Sequence, residues 1–132
     1  MKKIILTLLI FTASLVADLS NAYLNQTILD SKIPIVDVRT PAEWKETGLL
    51  KGAIPIMFFT EQGKYNINAF LEQLNAKVDT TKPFAIICHT GSRTSMIAPW
   101  MSKELNYKVT NLLGGMDYAT RGLKLKTVPY KN

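Results

Sequence analysis

A single cysteine and a single histidine in 132 residues leave little of the chemistry that metals and redox centres draw on. One cysteine excludes an internal disulfide. A zinc site needs several Cys or His at ligand spacing, so neither a cross-linked scaffold nor a zinc module is open to this chain, and no metal or other cofactor is expected. Runs of basic residues are missing as well. Sixteen Lys and Arg against ten Asp and Glu leave +6, but Lys32, Lys45, Lys51, Lys64, Lys77, Lys82, Lys103 and Lys108 are scattered, without interleaved aromatics. Dispersed charge of this kind reads as a solvated surface and speaks against nucleic acid as a partner. A mild pull on small anions is what remains. Internal repeats, low-complexity tracts and long linkers are absent too, so the length and the 47% hydrophobic content predict one domain around one core.

The long apolar run needed for a membrane span is also lacking. The thirteen mostly apolar residues from Ile4 to Val16 follow Lys2 and Lys3 and precede small residues. At about 1.5 Å per residue they reach about 20 Å, short of the hydrocarbon thickness of about 30 Å. The pattern is that of a signal peptide, residues 1–17, with cleavage expected after Ala17 and less favourably after Ala22. Residues 18–132 then form the domain, exported to the bacterial periplasm and not inserted in the membrane; a retained N-terminal anchor is the alternative. In an oxidising compartment an unpaired cysteine is either a reactive thiol or an intermolecular partner.

Along the rest of the chain, helical spacing of Leu24, Ile28 and Leu29 predicts a short helix within Leu19 to Leu29. Ile33 to Val38 is a β-branched run suited to a strand covered on both faces. Thr40, Pro41 and Glu43 then spell a helix start with a capping box, and Gly48 ends it. Gly52 to Phe59 offers a second strand, interrupted by Pro55. Asn68 is placed to cap a helix carrying Phe70, Leu71 and Leu74. Pro83 to Cys88 is a third strand, followed by a helix from Ser92 to about Leu105 in which Pro99 should introduce a kink or shift the start. Lys108 to Leu113 is a fourth strand, and Met116 to Arg121 a brief last helix. Strands alternating with helices imply crossovers, hence an α/β domain with a central, mainly parallel sheet and helices on both faces. Ligands of such sheets sit beyond the carboxyl ends of the strands.

Cys88 stands at one of those ends, opening the stretch CHTGSRTS. A cysteine ending an apolar strand is, taken alone, more often a small packed hydrophobe. The residues after it change the balance. His89, Thr90, Gly91 and Ser92 must carry the chain from strand to helix, so their N–H groups can surround the sulfur and an anion near it. Gly91 supplies the backbone freedom of such a turn. Arg93 at the helix start can hold the loop or an oxyanion, and a cation and a helix N-terminus both favour the thiolate.

With these residues in order, the chain resembles the rhodanese-like domains, a sulfurtransferase family, over roughly Leu19 to Pro129. IVDVRTPAEW resembles the Asp-x-Arg segment, TGLLKGAIPI the Gly-x-I-x-Gly-Ala segment, FAIICHTGSRTS the active-site strand and loop, and VTNLLGGMDYATRG the closing strand, Gly-Gly pair and last helix. The resemblance implies Cys88 as a persulfide-forming nucleophile, the backbone of His89 to Arg93 as its cradle, and Asp37 with Arg39 as a buried structural pair. Gly114 and Gly115 would serve a tight turn. It also implies a sulfane donor such as thiosulfate or polysulfide, and as acceptor a thiol, cyanide or a partner protein. The count from Cys88 to Arg93, C-x4-R, is one residue shorter than the C-x5-R of related dual-specificity phosphatases, which favours sulfur over phosphate. A sulfur carrier with little turnover of its own is the alternative, and a small phosphatase or arsenate reductase the third reading. Three positions depart from the family: Leu49 replaces a frequent histidine, taken as a surface group; His89 replaces a frequent loop arginine; Tyr118 replaces a frequent tryptophan.

Overall fold

The computed structural model describes residues 19–132. Five strands form one sheet in the order β1-β5-β4-β2-β3, with β1 at Leu19–Tyr23, β2 at Ile35–Asp37, β3 at Ile54–Pro55, β4 at Phe84–Ile87 and β5 at Val109–Leu113. Every neighbouring pair is parallel. The helices are α1 (Gln26–Ser31), α2 (Pro41–Thr47), α3 (Ile67–Lys77), α4 (Ser92–Leu105) and a single turn α5 (Gly115–Asp117) that widens into a π-helical turn over Tyr118–Gly122. The α/β architecture expected from the alternation of elements is therefore present, with all pairings parallel.

β4 occupies the middle of the sheet and is buried along its whole length. Its side chains alternate between two cores. Phe84, Ile86 and Cys88 pack with Phe70 and Leu74 of α3 and with Ile97, Ala98 and Met101 of α4. Ala85 and Ile87 face Leu24, Leu112, Met116 and Ala119, with Ile28 and Leu29 of α1 against them. Burial on both faces is what a continuous apolar run permits, and each large apolar side chain taken out of water contributes about 1.5–3 kcal/mol. The strand that leads into the cysteine is thus buried on both faces.

Several local expectations change. Leu19–Tyr23 is an edge strand rather than part of a helix, paired residue for residue with Val109–Leu113. Helical spacing among Leu24, Ile28 and Leu29 describes only α1, which starts after the cap Asn25. An exposed edge strand has no buried alternation to reveal it. The cleavage point at Ala17 lies outside the described residues, whereas Ala22 lies within β1. Helix α3 is capped by Asn66, whose side chain accepts from the Ala69 N–H, not by Asn68. Pro99 neither ends α4 nor shifts its start, so the helix begins at Ser92 as the loop requires. Leu49 is 7% exposed and pairs its backbone with Val128, so the position is interior, not surface.

Candidate active site

The site is built where β2 and β4 release the chain side by side. Two lengths of backbone meet there: the start of α2 after β2, and the start of α4 after β4. Thr40 caps α2 through the Glu43 N–H, Pro41 occupies the first turn, and the Glu43 side chain reaches back to the Thr40 N–H. Beneath that turn Asp37 and Arg39 form a bidentate pair, 2.8 Å from Nη2 to Oδ2, with both side chains essentially excluded from water. Arg39 also donates to Gly48 O and Thr47 Oγ1, and the Trp44 indole donates to Asp37. Every charged atom of the pair has a partner. A buried pair so satisfied fixes the path of the chain, and losing one member leaves a bare buried charge.

Cys88 is fully buried in the base of the loop. The Gly91 N–H donates to its Sγ at 3.2 Å, and Thr94 Oγ1 lies 3.6 Å away. Gly91 has φ of +100° and precedes α4, and its carbonyl accepts from Ser95 Oγ and Thr94 Oγ1 as well as the Ser95 N–H. These bonds turn the Gly91 carbonyl toward the helix and its N–H toward the sulfur. On the opposite side, the Met116 N–H donates to Cys88 O at 2.8 Å and the Asp117 N–H to His89 O at 2.9 Å. Both carbonyls are held outward by the first turn after β5. That arrangement requires the close approach of Gly115, at φ +57°, where a Cβ would stand 2.5 Å from Cys88 O and 2.6 Å from His89 O. Gly114 and Gly115 therefore do more than turn the chain: they let one backbone fasten another.

Arg93 has both terminal nitrogens on the Glu43 carboxylate, at 2.7 and 2.8 Å. The guanidinium holds Glu43 well below the usual carboxylate range, at about 2, against the opposing effect of its partial burial. Arg93 is shifted up in return, chiefly by Glu43 and in smaller measure by the nearby Cys88 and Asp37. The capping glutamate of α2 and the arginine of α4 thus clamp the two helix starts together. His89 and Thr90 are exposed. His89 faces a hollow of about 280 Å³ shared with Arg39, Asp117 and Arg121, apart from the hollow beside Arg93.

Of the residues singled out in the sequence, Gly91 meets Cys88 directly, Ser92 starts the helix that follows, Arg93 turns aside to Glu43, and Asp37 pairs with Arg39 after the neighbouring strand. Missing from that set were Glu43 as the partner of Arg93, and Met116 and Asp117 as backbone donors. Glu43 gave a capping signal that concealed its second bond, and backbone donors leave no mark in side-chain identity.

A buried cysteine directly after the central strand of a parallel sheet, held in a strand-to-helix loop with a backbone donor on its sulfur, defines an α/β domain that presents a thiol at the carboxyl end of its sheet. The family model of the rhodanese-like domain matches residues 20–120. The chain belongs to the rhodanese-like domain family. Among curated relatives it is similar to the uncharacterized protein RP600 of Rickettsia prowazekii (strain Madrid E), 30% identical over 113 residues that cover 81% of this chain and 89% of that protein. Among solved structures it is similar to Rv0390 of M. tuberculosis, with a TM-score of 0.60 and 21% identity over 74% of this chain and 80% of the other. Reduced CoADR-RHD of Bacillus anthracis gives a TM-score of 0.59 and 27% identity over 83% of this chain, but only 17% of that longer chain.

Proposed function

We propose that the protein is a sulfurtransferase working by double displacement through a Cys88 persulfide. The observation that carries the reading is the Gly91 N–H directed at Cys88 Sγ from a loop whose neighbouring carbonyls are tied away. A donor placed there meets the negative charge that sulfur bears as a thiolate or persulfide, with the N-terminus of α4 behind it. The Cys88 thiolate attacks the outer sulfur of thiosulfate or a polysulfide; the donor's S–S bond breaks, and sulfite or the shortened chain leaves with the electron pair. A thiol, cyanide or protein acceptor then attacks the outer sulfur of the persulfide and restores the thiolate.

Family membership supports sulfur chemistry, and so does the position of Arg93. With both terminal nitrogens on Glu43, its guanidinium is not free to embrace a phosphate dianion. Backbone donors in a six-residue loop suit the single charge of a persulfide better. The N-terminal segment supports export to the periplasm with cleavage after Ala17, and among the described residues no helix is long and apolar enough to cross a membrane.

Incubation with thiosulfate or polysulfide, followed by intact mass measurement, tests the reading. A one-sulfur adduct that disappears in Cys88→Ser is the expected result. No adduct with any donor, or an adduct that survives the substitution, would overturn it. Turnover of an aryl phosphate would favour the phosphatase reading instead.

A further inference from the structure

The loop from Ile56 to Asn66 and the outer stripe of α4 leave an apolar groove open beside the cysteine loop. Its floor is built of rings: Phe58 contacts Phe59, Tyr65, Phe70 and Trp100 at centroid distances of 4.8 to 5.9 Å. The groove encloses about 280 Å³, and its walls include Phe59, Tyr65, Ile67, Met96 and Trp100. Tyr65 and Met96 are each 60% exposed and both stand in its wall. Phe59 and Met96 also line the hollow of about 580 Å³ that holds Arg93, the residue that ends the cysteine loop, so the groove runs into that hollow.

Charge changes sign across the same surface. The chain as a whole is +6, yet the hollow beside Arg93 contains Glu43, Glu46 and Glu61. Arg93 answers Glu43 alone, and Glu46 and Glu61 are exposed with no ion pair among the described residues. Lys64, near in sequence to Glu61, lines a different hollow with Asn66 and Gln73. A small anion gains nothing from two exposed carboxylates. A cationic chain with an apolar anchor does.

We propose that the groove docks the sulfur acceptor: a cysteine-bearing segment of a partner protein, with an apolar side chain a few positions from the thiol and lysine or arginine beside it. The inference rests on the sulfurtransferase reading and names its acceptor class. Arg93, Met96, Ile97 and Trp100 follow one face of α4, and the seven steps from Arg93 to Trp100 rise about 10 Å. An extended segment covers that distance in about three residues, so a thiol at the loop puts its third neighbour against Trp100. The acceptor thiolate attacks the outer sulfur of the Cys88 persulfide. The S–S bond breaks, its electron pair returns to Cys88 Sγ, and the acceptor departs as the persulfide without any oxidant or reductant.

Two synthetic peptides test this, Cys-Gly-Lys-Leu-Lys and Cys-Gly-Glu-Leu-Glu, each offered to sulfur-loaded protein and followed by peptide mass. Transfer to the basic peptide should be about tenfold faster at low salt, and the preference should collapse in a Glu46→Gln, Glu61→Gln double variant and in high salt. Met96→Ser should raise KM for both. Labelled serine analogues of the peptides, followed by fluorescence anisotropy, report docking whether or not Cys88 loads. Equal binding and transfer of the two peptides, or a preference that survives the double variant, overturns the docking site and leaves the sulfurtransferase reading intact. Failure to load, with the binding preference present, overturns the reading of the chemistry but not the groove.

Discussion

Replacing Gly115 with alanine puts a methyl carbon 2.5 Å from Cys88 O, 2.6 Å from His89 O and 2.7 Å from His89 C. None of these atoms is the loose end of a side chain; all are backbone of the cysteine loop. Two effects add. The residue sits at φ +57°, where an L side chain meets a penalty of about 1–2 kcal/mol. Forcing atoms into a filled space costs about 1–3 kcal/mol more. Relief requires the two backbones to separate, which stretches the bonds from Met116 N–H to Cys88 O and from Asp117 N–H to His89 O. A loss of about 3 kcal/mol follows, or a fall in Tm of about 10 °C for a domain this size. Gly52→Ala is the matched control, since Gly52 has φ +81° but nothing within 4 Å of where its Cβ would stand. It carries the conformational penalty of about 1–2 kcal/mol without the clash. Urea unfolding of both variants isolates the contact, and the rate of Cys88 sulfur loading at a temperature where each is folded reports the loop. Equal destabilisation of the two variants, with Gly115→Ala loading at the wild-type rate, would refute the idea that this glycine lets α5 hold the loop.

The Glu43 and Arg93 clamp gives a pH signature. Because Glu43 is held at about 2 against an ordinary 4.5, chiefly by its bonds to Arg93, the stabilisation is fully present above pH 4.5 and drains away as pH falls toward 2. After allowance for solvent screening of a pair about a quarter exposed, it amounts to about 1–2 kcal/mol. Stability measured by urea from pH 6 to 3 should fall less in Glu43→Gln than in the wild type; parallel curves would show that the pair contributes nothing. Asp37→Asn removes the charge facing Arg39 in the interior and should destabilise by about 3–5 kcal/mol in the same assay, and a loss under 1 kcal/mol would mean that water or another group satisfies Arg39.

Local pattern carried much of the architecture. β4 was legible because it is apolar on both faces, α2 because Thr40, Pro41 and Glu43 spell a helix start, and α4 because the strand before it ends at a glycine-containing turn. β1 was not legible. Its side chains are mostly exposed, and what holds it is backbone pairing with β5 some ninety residues away. Asn66 and Asn68 illustrate a similar limit, since both are capping residues and only the packing of Phe70 and Leu74 selects between their registers.

By itself the sequence determined the alternation of strands and helices, the single thiol at a strand end, and the six-residue loop that follows it, because these depend on neighbours a few positions apart. Only the tertiary structure decided what surrounds that thiol. Arg93 turns to Glu43 from fifty residues earlier. The carbonyls of Cys88 and His89 are fastened by amides nearly thirty residues later. Acidic and aromatic side chains from three separate segments line adjoining hollows beside α4. Such contacts leave no period in the chain, since they arise from the order in which the sheet stacks its strands and not from the spacing of residues along any one of them.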